Sequence, residues 1–277
     1  MPELNRTSTS HRARCSATAQ ASLGAIGALL SLTLCSMVQA RGDELGAAKK
    51  LLAASDHDEV EAGIQSLGLI GTAVTVPPLI ERVRAGLPVD LLETAIVTLT
   101  ALGQPQASPL FVELTSYRRP EIRIRAIEGL VALKPVGAEE VLRKALSDSD
   151  TKVRSAAALG LGELKATASL EVLFKALDHG NFEASLAIGQ ALKNDQVPRL
   201  LGYLGTVPFH ALSPALTEIL RRKDIGERDK LNVVSRLQEV GTHEVKVFFG
   251  DLMRITGEKL SPPVTRAVLQ AVQQIAD

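Results

Sequence analysis

The stretch that decides the fold is Asp150-Thr151-Lys152-Val153-Arg154-Ser155-Ala156-Ala157-Ala158-Leu159-Gly160, continued by Leu161-Gly162-Glu163-Leu164. Asp150 offers a side-chain oxygen to the free N–H groups of a helix start. Behind it, Val153, Ala156, Ala157, Gly160, Leu161 and Leu164 recur at steps of three and four, which places one apolar stripe on a helix. The same pattern returns along the chain. Leu102, Leu133 and Leu164 are each 31 residues apart, as are Ala95, Ala126 and Ala157. Val83 and Leu114 repeat at this step, and so do Leu146 and Leu177. A fixed period of this length predicts a stack of small units, each unable to bury its apolar face alone.

Each unit reads as a polar turn, a first helix, a break and a second helix. In the clearest unit the first helix is expected over Thr151 to Leu164 and the second from about Ala168 to Leu177. The unit before it opens at Pro120, where a missing N–H costs nothing, and its second helix spans Gly137 to Leu146. Earlier units begin near Asp56-His57-Asp58 and Pro88-Val89-Asp90, and their second helices open at Pro77-Pro78 and at Pro105 and Pro109. A shorter unit begins at Gly180-Asn181-Phe182, since Leu192 follows Leu164 by 28 residues. The array is regular over 56–204 and degenerate over 205–277, within a repeat region assigned to 41–277. In the degenerate part, Ser213-Pro214 is expected to start a helix ending at Arg221-Arg222-Lys223, and Ser261-Pro262-Pro263 a last one with a polar outer face. Ala126, Gly129, Ala157 and Gly160, inside the first helices, permit close approach of neighbouring helices.

Composition agrees. Hydrophobic residues make up 45% of the 277 and charged residues 22%, while aromatics are 3% and Trp is absent. A core built from Leu, Val, Ile and Ala suits packed helices and does not suit an aromatic-lined pocket. The formal net charge is zero, so no long-range field draws the chain to nucleic acid or to an anionic membrane.

Residues 1–40 read as a signal peptide or N-terminal anchor. Arg6, Arg12 and Arg14 supply a positive start, Ala21 to Ala40 holds no charge, and Val38-Gln39-Ala40 fits a cleavage site. Removal after Ala40 leaves a net charge of −2, since Arg6, Arg12 and Arg14 go with Glu3. It also removes Cys15 and Cys35, the only cysteines, and with them any disulfide or thiolate site. Two alternatives stay open: retention as an anchor, about 20 apolar residues being enough to span a bilayer, and lipidation at Cys35 after Leu32-Thr33-Leu34, as in bacterial lipoproteins.

The Asp150–Gly160 segment resembles HEAT repeats, in particular the HEAT-like units named after phycobilisome lyase subunits. The shared pattern is an acidic cap, a Val-Arg pair, alanines and Leu-Gly near the helix end. Ile122-Arg123 with Ala126 reproduces it less fully, and Val60, Ala62 and Leu67-Gly68 do so with Glu61 in place of the arginine. The resemblance implies an all-α fold, a right-handed α-solenoid of antiparallel helix pairs. It also implies protein–protein binding through the second-helix surface. On that surface Arg82, Glu113, Arg143, Lys144, Lys175 and Arg199 form the expected partner-binding face. A second reading implied by the resemblance is an accessory or ligand-handling protein related to phycobilin-lyase-type HEAT proteins.

No catalytic constellation is visible. Arg123 and Arg154 share one repeat position and are expected to pair with Asp148 or Asp150 and tie adjacent units. The basic spots Arg118-Arg119 with Arg123 and Arg125, and Arg221-Arg222-Lys223, are interspersed with acids, and only Tyr117 and Tyr203 could stack with bases. His57, His179, His210 and His243 lack metal-ligand spacing, and His243-Glu244 lacks the second histidine of a metalloprotease helix. Gly160-Leu161-Gly162 is followed by Lys165 where a nucleotide loop needs its third glycine, and it lies within a helix. The expectation is therefore an exported, periplasmic or secreted, non-enzymatic scaffold with no cofactor and no metal. Its partner is a protein of unknown identity, not nucleic acid, and it meets a membrane only if the N-terminal segment is retained or lipidated.

Overall fold

The computed structural model describes residues 42–256 and 260–275. The expected signal peptide and both cysteines lie outside the described residues. The described residues fall into two compact units, divided between Thr94 and Ala95.

In the first unit, helix α1 runs over 42–52, and α2 (His57–Ile70) and α3 (Val76–Ala85) form a pair. Asp56 caps α2 by accepting from the amides of Asp58 and Glu59, which satisfies donors that a helix start leaves free. Val60, Ile64, Leu67, Leu79 and Val83 turn inward. Helix α4 (Val89–Leu102) opens with Asp90 in its first turn, and the chain passes from the first unit to the second within it.

The second unit repeats the helix pair: α5 (Ser108–Leu114), α6 (Pro120–Leu133), α7 (Ala138–Ala145), α8 (Thr151–Glu163) and α9 (Leu170–Asp178). It continues through α10 (Glu183–Ala191), α11 (Val197–Leu201), α12 (Phe209–Arg221), α13 (Glu227–Val240), α14 (His243–Thr256) and α15 (Pro262–Gln274). First helices stack on first helices, α6 on α8, α8 on α10, α10 on α12 and α12 on α14. In the second layer α11 packs on α13 and α13 on α15, so the pairing carries through the part where sequence regularity fades. One apolar core extends from Ile127 to Ile275.

The period is physical. Ala95, Ala126 and Ala157 are all completely buried, so one sequence position marks one place in successive layers. Leu102, Leu133 and Leu164 are half-buried at the helix ends. The residues after them share a backbone shape: Gly103, Lys134 and Lys165 have φ of 64°, 49° and 51°. The chain leaves the first helix each time through a left-handed residue. Lysine there carries the steric cost that glycine avoids.

Close approach of first helices is achieved with small residues. At Gly189 in α10, a Cβ would lie 2.7 Å from the Cα of Ala215 in α12, so only glycine fits. Ser185 Oγ donates to the Ala211 carbonyl across the same seam.

One expected helix start is corrected. Helix α12 begins at Phe209, not at Ser213-Pro214, and Pro214 lies inside it. A proline there leaves the carbonyl four residues earlier without its amide. Ser213 Oγ donates to that carbonyl, His210 O, at 3.1 Å, and so removes much of the penalty.

Candidate partner-binding face

The second helices of the larger unit carry five of the six expected face residues: Glu113 on α5, Arg143 and Lys144 on α7, Lys175 on α9 and Arg199 on α11. Glu113, Lys144 and Lys175 follow one another at 31-residue steps, which puts them at one repeat position on successive layers. All three are exposed. Stacked helices stand roughly 8–10 Å apart, so these side chains form a ladder with about that rung spacing.

The charges differ in availability. Lys144 and Lys175 make no ion pair among the described residues. Lys175 still feels Glu171, one turn back. Arg143 pairs with Glu140 at 3.3 Å, and its Nε is buried without a partner. Arg199 is the most engaged. It pairs with Glu171 at 2.5 Å from the neighbouring layer, and its guanidinium lies 3.9 Å from the centroid of the Phe174 ring. The Arg199 hydrogen bond holds the Glu171 carboxyl below its usual range and raises Arg199.

In the first unit Arg82 is spent on structure. Its Nε donates to Leu52 O at 3.0 Å and its Nη1 to Gly86 O at 2.8 Å. The first bond satisfies a carbonyl at the end of α1, where no intrahelical amide is available. It contributes less to an accessible face than the lysines do.

The layers are fastened to one another by polar contacts at near-repeat separations. Ser169 Oγ donates to Glu139 at 2.6 Å, and Tyr203 Oη donates to Asp178 at 2.7 Å. Phe174 and Tyr203 stack with centroids 5.9 Å apart. Burial and the bond to Asp178 raise the Tyr203 phenol above its ordinary value. Sequence reasoning missed this cluster of Glu171, Phe174, Asp178, Arg199 and Tyr203. Its signal was the 28-residue spacing of Glu171 and Arg199, the same shortened step as Leu164 to Leu192.

Behind the face, Arg123 behaves as expected. Its Nη2 pairs with Asp148 Oδ1 at 2.6 Å and its Nη1 donates to Tyr117 O at 2.9 Å. Arg154 does not reproduce the carboxylate pair. It donates to the carbonyls of Asp148 and Ser149 and to Thr151 Oγ1, which closes its own turn. The position 25 residues on, where Arg123 finds Asp148, is His179 for Arg154, so no carboxylate stands there, and the Asp150 carboxylate is taken by the amides of Lys152 and Val153 as the α8 cap. An adjacent cleft of about 480 Å³ is lined by Ser116, Tyr117, Arg123, Lys144, Asp148 and Ser149 among others.

No group of three or more metal-ligating side chains converges among the described residues. His57 bonds Asp90 at 2.5 Å, while His179 Nδ1 lies 2.6 Å from Lys175 O. None of the described helices is long and apolar enough to cross a membrane.

Residues 110–193, which run from within α5 through α10, match the family model of HEAT repeats. The described residues on either side of that segment also form helices. Among solved structures, the chain is similar to the complex of CpcE and CpcF of phycocyanin lyase from Nostoc sp. PCC7120, at 17% identity and a TM-score of 0.46, over 84% of this chain and 94% of that one. It is also similar to human deoxyhypusine hydroxylase in complex with glycerol, at 15% identity and a TM-score of 0.43, over 87% of this chain and 98% of that one. An engineered protein matches at 16% identity and a TM-score of 0.43, over 83% of this chain and 68% of that one. No curated protein matches.

Proposed function

We propose that this chain is a non-enzymatic HEAT-repeat scaffold that holds a protein partner on the second-helix face of its larger unit. The observation that carries the reading is the ladder of Glu113, Lys144 and Lys175, exposed at one repeat position on helices locked in register by the bonds from Ser169 to Glu139 and Arg199 to Glu171. Rigid layers fix the helices that carry these side chains, so little backbone ordering opposes binding. Polar groups arranged in this way set orientation and specificity more than raw affinity.

Site-specific photo-cross-linking tests it. A photoreactive side chain placed at Lys144 or Lys175 is expected to trap one discrete partner from the native source. The same group at Arg125, exposed on first helix α6, is not. Equal trapping from all three positions, or none from the first two, removes the reading.

Export belongs to the same proposal. Its support is the uncharged Ala21 to Ala40 run after Arg6, Arg12 and Arg14, ending in Val38-Gln39-Ala40. Mass spectrometry of the protein from its native source is expected to find Arg41 as the first residue; an intact Met1 on soluble intracellular protein contradicts it.

A further inference from the structure

A second surface lies in the larger unit on the opposite set of helices. Between α12 and α14 the stacking of first helices changes character. At α10 and α12 the backbones meet through Gly189 and Ala215. At α12 and α14 the contact is made by aromatic rings, Phe209 edge-on to Phe248 with centroids 5.5 Å apart. Rings hold the helices apart where glycine lets them close, and a groove of about 410 Å³ opens between them.

Its lining is distinctive for this chain. Glu244, Val247, Phe248 and Asp251 project from one face of α14, at the three- and four-residue spacing that aligns side chains on a helix. Phe209 and His210 border it from α12. Val247 is 49% exposed. Phe182, 37% exposed, extends the apolar strip by packing edge-on to His210 at 6.5 Å. Of the six phenylalanines, Phe111, Phe174 and Phe249 are completely buried, Phe248 belongs to the core with 9% of its surface reaching the groove wall, and Phe182 and Phe209 are partly exposed beside it. In a chain with 3% aromatics, that concentration marks a surface built for contact.

The charge is one-sided. No lysine or arginine lines the groove. Asp251 pairs at 2.9 Å with Arg254, which does not line the groove, and Glu244 makes no ion pair among the described residues. We infer that this groove is a docking site for a basic amphipathic helix of a partner protein, whose apolar side chains enter over Phe209, Val247 and Phe248 and whose lysine or arginine side chains meet Glu244 and Asp251. Recognition of apolar anchors at helical spacing by a groove between helices is an established mode of peptide binding. The flanking carboxylates choose a cationic segment over an acidic one. The site is independent of the lysine ladder, being on the other helix layer.

Fluorescence anisotropy with the full chain tests it. The probes are a labelled helical peptide of leucine and lysine, with leucines at every third and fourth position, and a counterpart with glutamate for lysine. The lysine peptide is expected to bind saturably, more weakly as salt rises, and the glutamate peptide at least tenfold more weakly. Glu244→Lys with Asp251→Lys should weaken the lysine peptide at least tenfold, and Val247→Asp should do so separately. Lys144→Glu with Lys175→Glu should leave it unchanged. The inference is overturned by an absence of saturable binding, by equal binding of both peptides, by indifference to the α14 variants, or by loss in the ladder variant. None of these outcomes alters the cross-linking result for the second-helix face.

Discussion

Arg123 Nη2 and Asp148 Oδ1 meet at 2.6 Å across 25 residues of sequence, joining the start of one repeat to the turn that begins the next. Both side chains are nearly buried, at 11% and 14% exposure. Arg123 also holds the Tyr117 and Arg118 carbonyls, so one guanidinium closes its own turn and grips the neighbouring layer.

Removing Arg123 strands a buried carboxylate. Arg123→Ala is expected to destabilise the protein by about 3 kcal/mol, read by denaturant unfolding. Arg154→Ala, which strands no buried charge, is expected to cost about 1 kcal/mol. Burial pushes the Asp148 carboxyl up, but the Arg123 hydrogen bond, the Asp150 amide and the nearby positive charge outweigh it and hold it below the usual range. The stability it contributes is therefore complete above the ordinary carboxylate range and is lost as pH falls through its lowered folded value. In Arg123→Ala, with that lowering removed, the acid-side loss of stability contributed by Asp148 should shrink, and the gap in stability between parent and variant should narrow as pH falls.

Lys134 and Lys165 occupy left-handed positions where the preceding repeat has Gly103. Lys134→Gly and Lys165→Gly are each expected to raise stability by about 0.5–1 kcal/mol, because a side chain there is strained. Thermal melts decide it, and a lowered Tm in both variants means the strain is absent.

Two glycines inside helices should respond in opposite directions. A Cβ at Gly189 meets the Ala215 backbone, so Gly189→Ala is expected to cost about 1–3 kcal/mol. Gly250 in α14 has open space, so Gly250→Ala is expected to add about 0.5–1 kcal/mol through helix propensity. The pair measures directly whether α10 and α12 are in backbone contact.

His57 Nε2 lies 2.5 Å from Asp90 Oδ2, and this hydrogen bond raises the histidine and lowers the aspartate. A histidine raised in the folded state stabilises fully below its unfolded value, and that contribution disappears as pH rises through the folded one. Proton NMR should show His57 titrating above the ordinary value of about 6.5, and Asp90→Asn should bring it back down.

The fold was legible because burial itself repeats. Ala95, Ala126 and Ala157 are identical in sequence and equally enclosed, and Asp56 and Asp150 cap the helices that their position suggests. Pro214 misled because proline usually marks a helix start, and the Ser213 hydroxyl that lets it lie deeper carries no sequence signature of its own. The left-handed lysines were hidden for the same reason: position, not residue type, sets their backbone. On the face, exposure of Lys144 and Lys175 could be read from helix phase. The capture of Arg82 by Leu52 O and of Arg199 by Glu171 and Phe174 could not, since those partners are 25 to 30 residues away and depend on how layers settle.

The central claim, that the second-helix ladder is the partner surface, meets its most direct test in quantitative affinity capture with Lys144→Glu combined with Lys175→Glu. Both lysines are exposed and make no ion pair among the described residues; the reversals set glutamates one turn from Glu140 and Glu171 in helix last turns, which costs about 1 kcal/mol and leaves the variant folded. The account predicts at least tenfold weaker recovery of the partner cross-linked from these positions. Undiminished recovery by a folded double variant contradicts it.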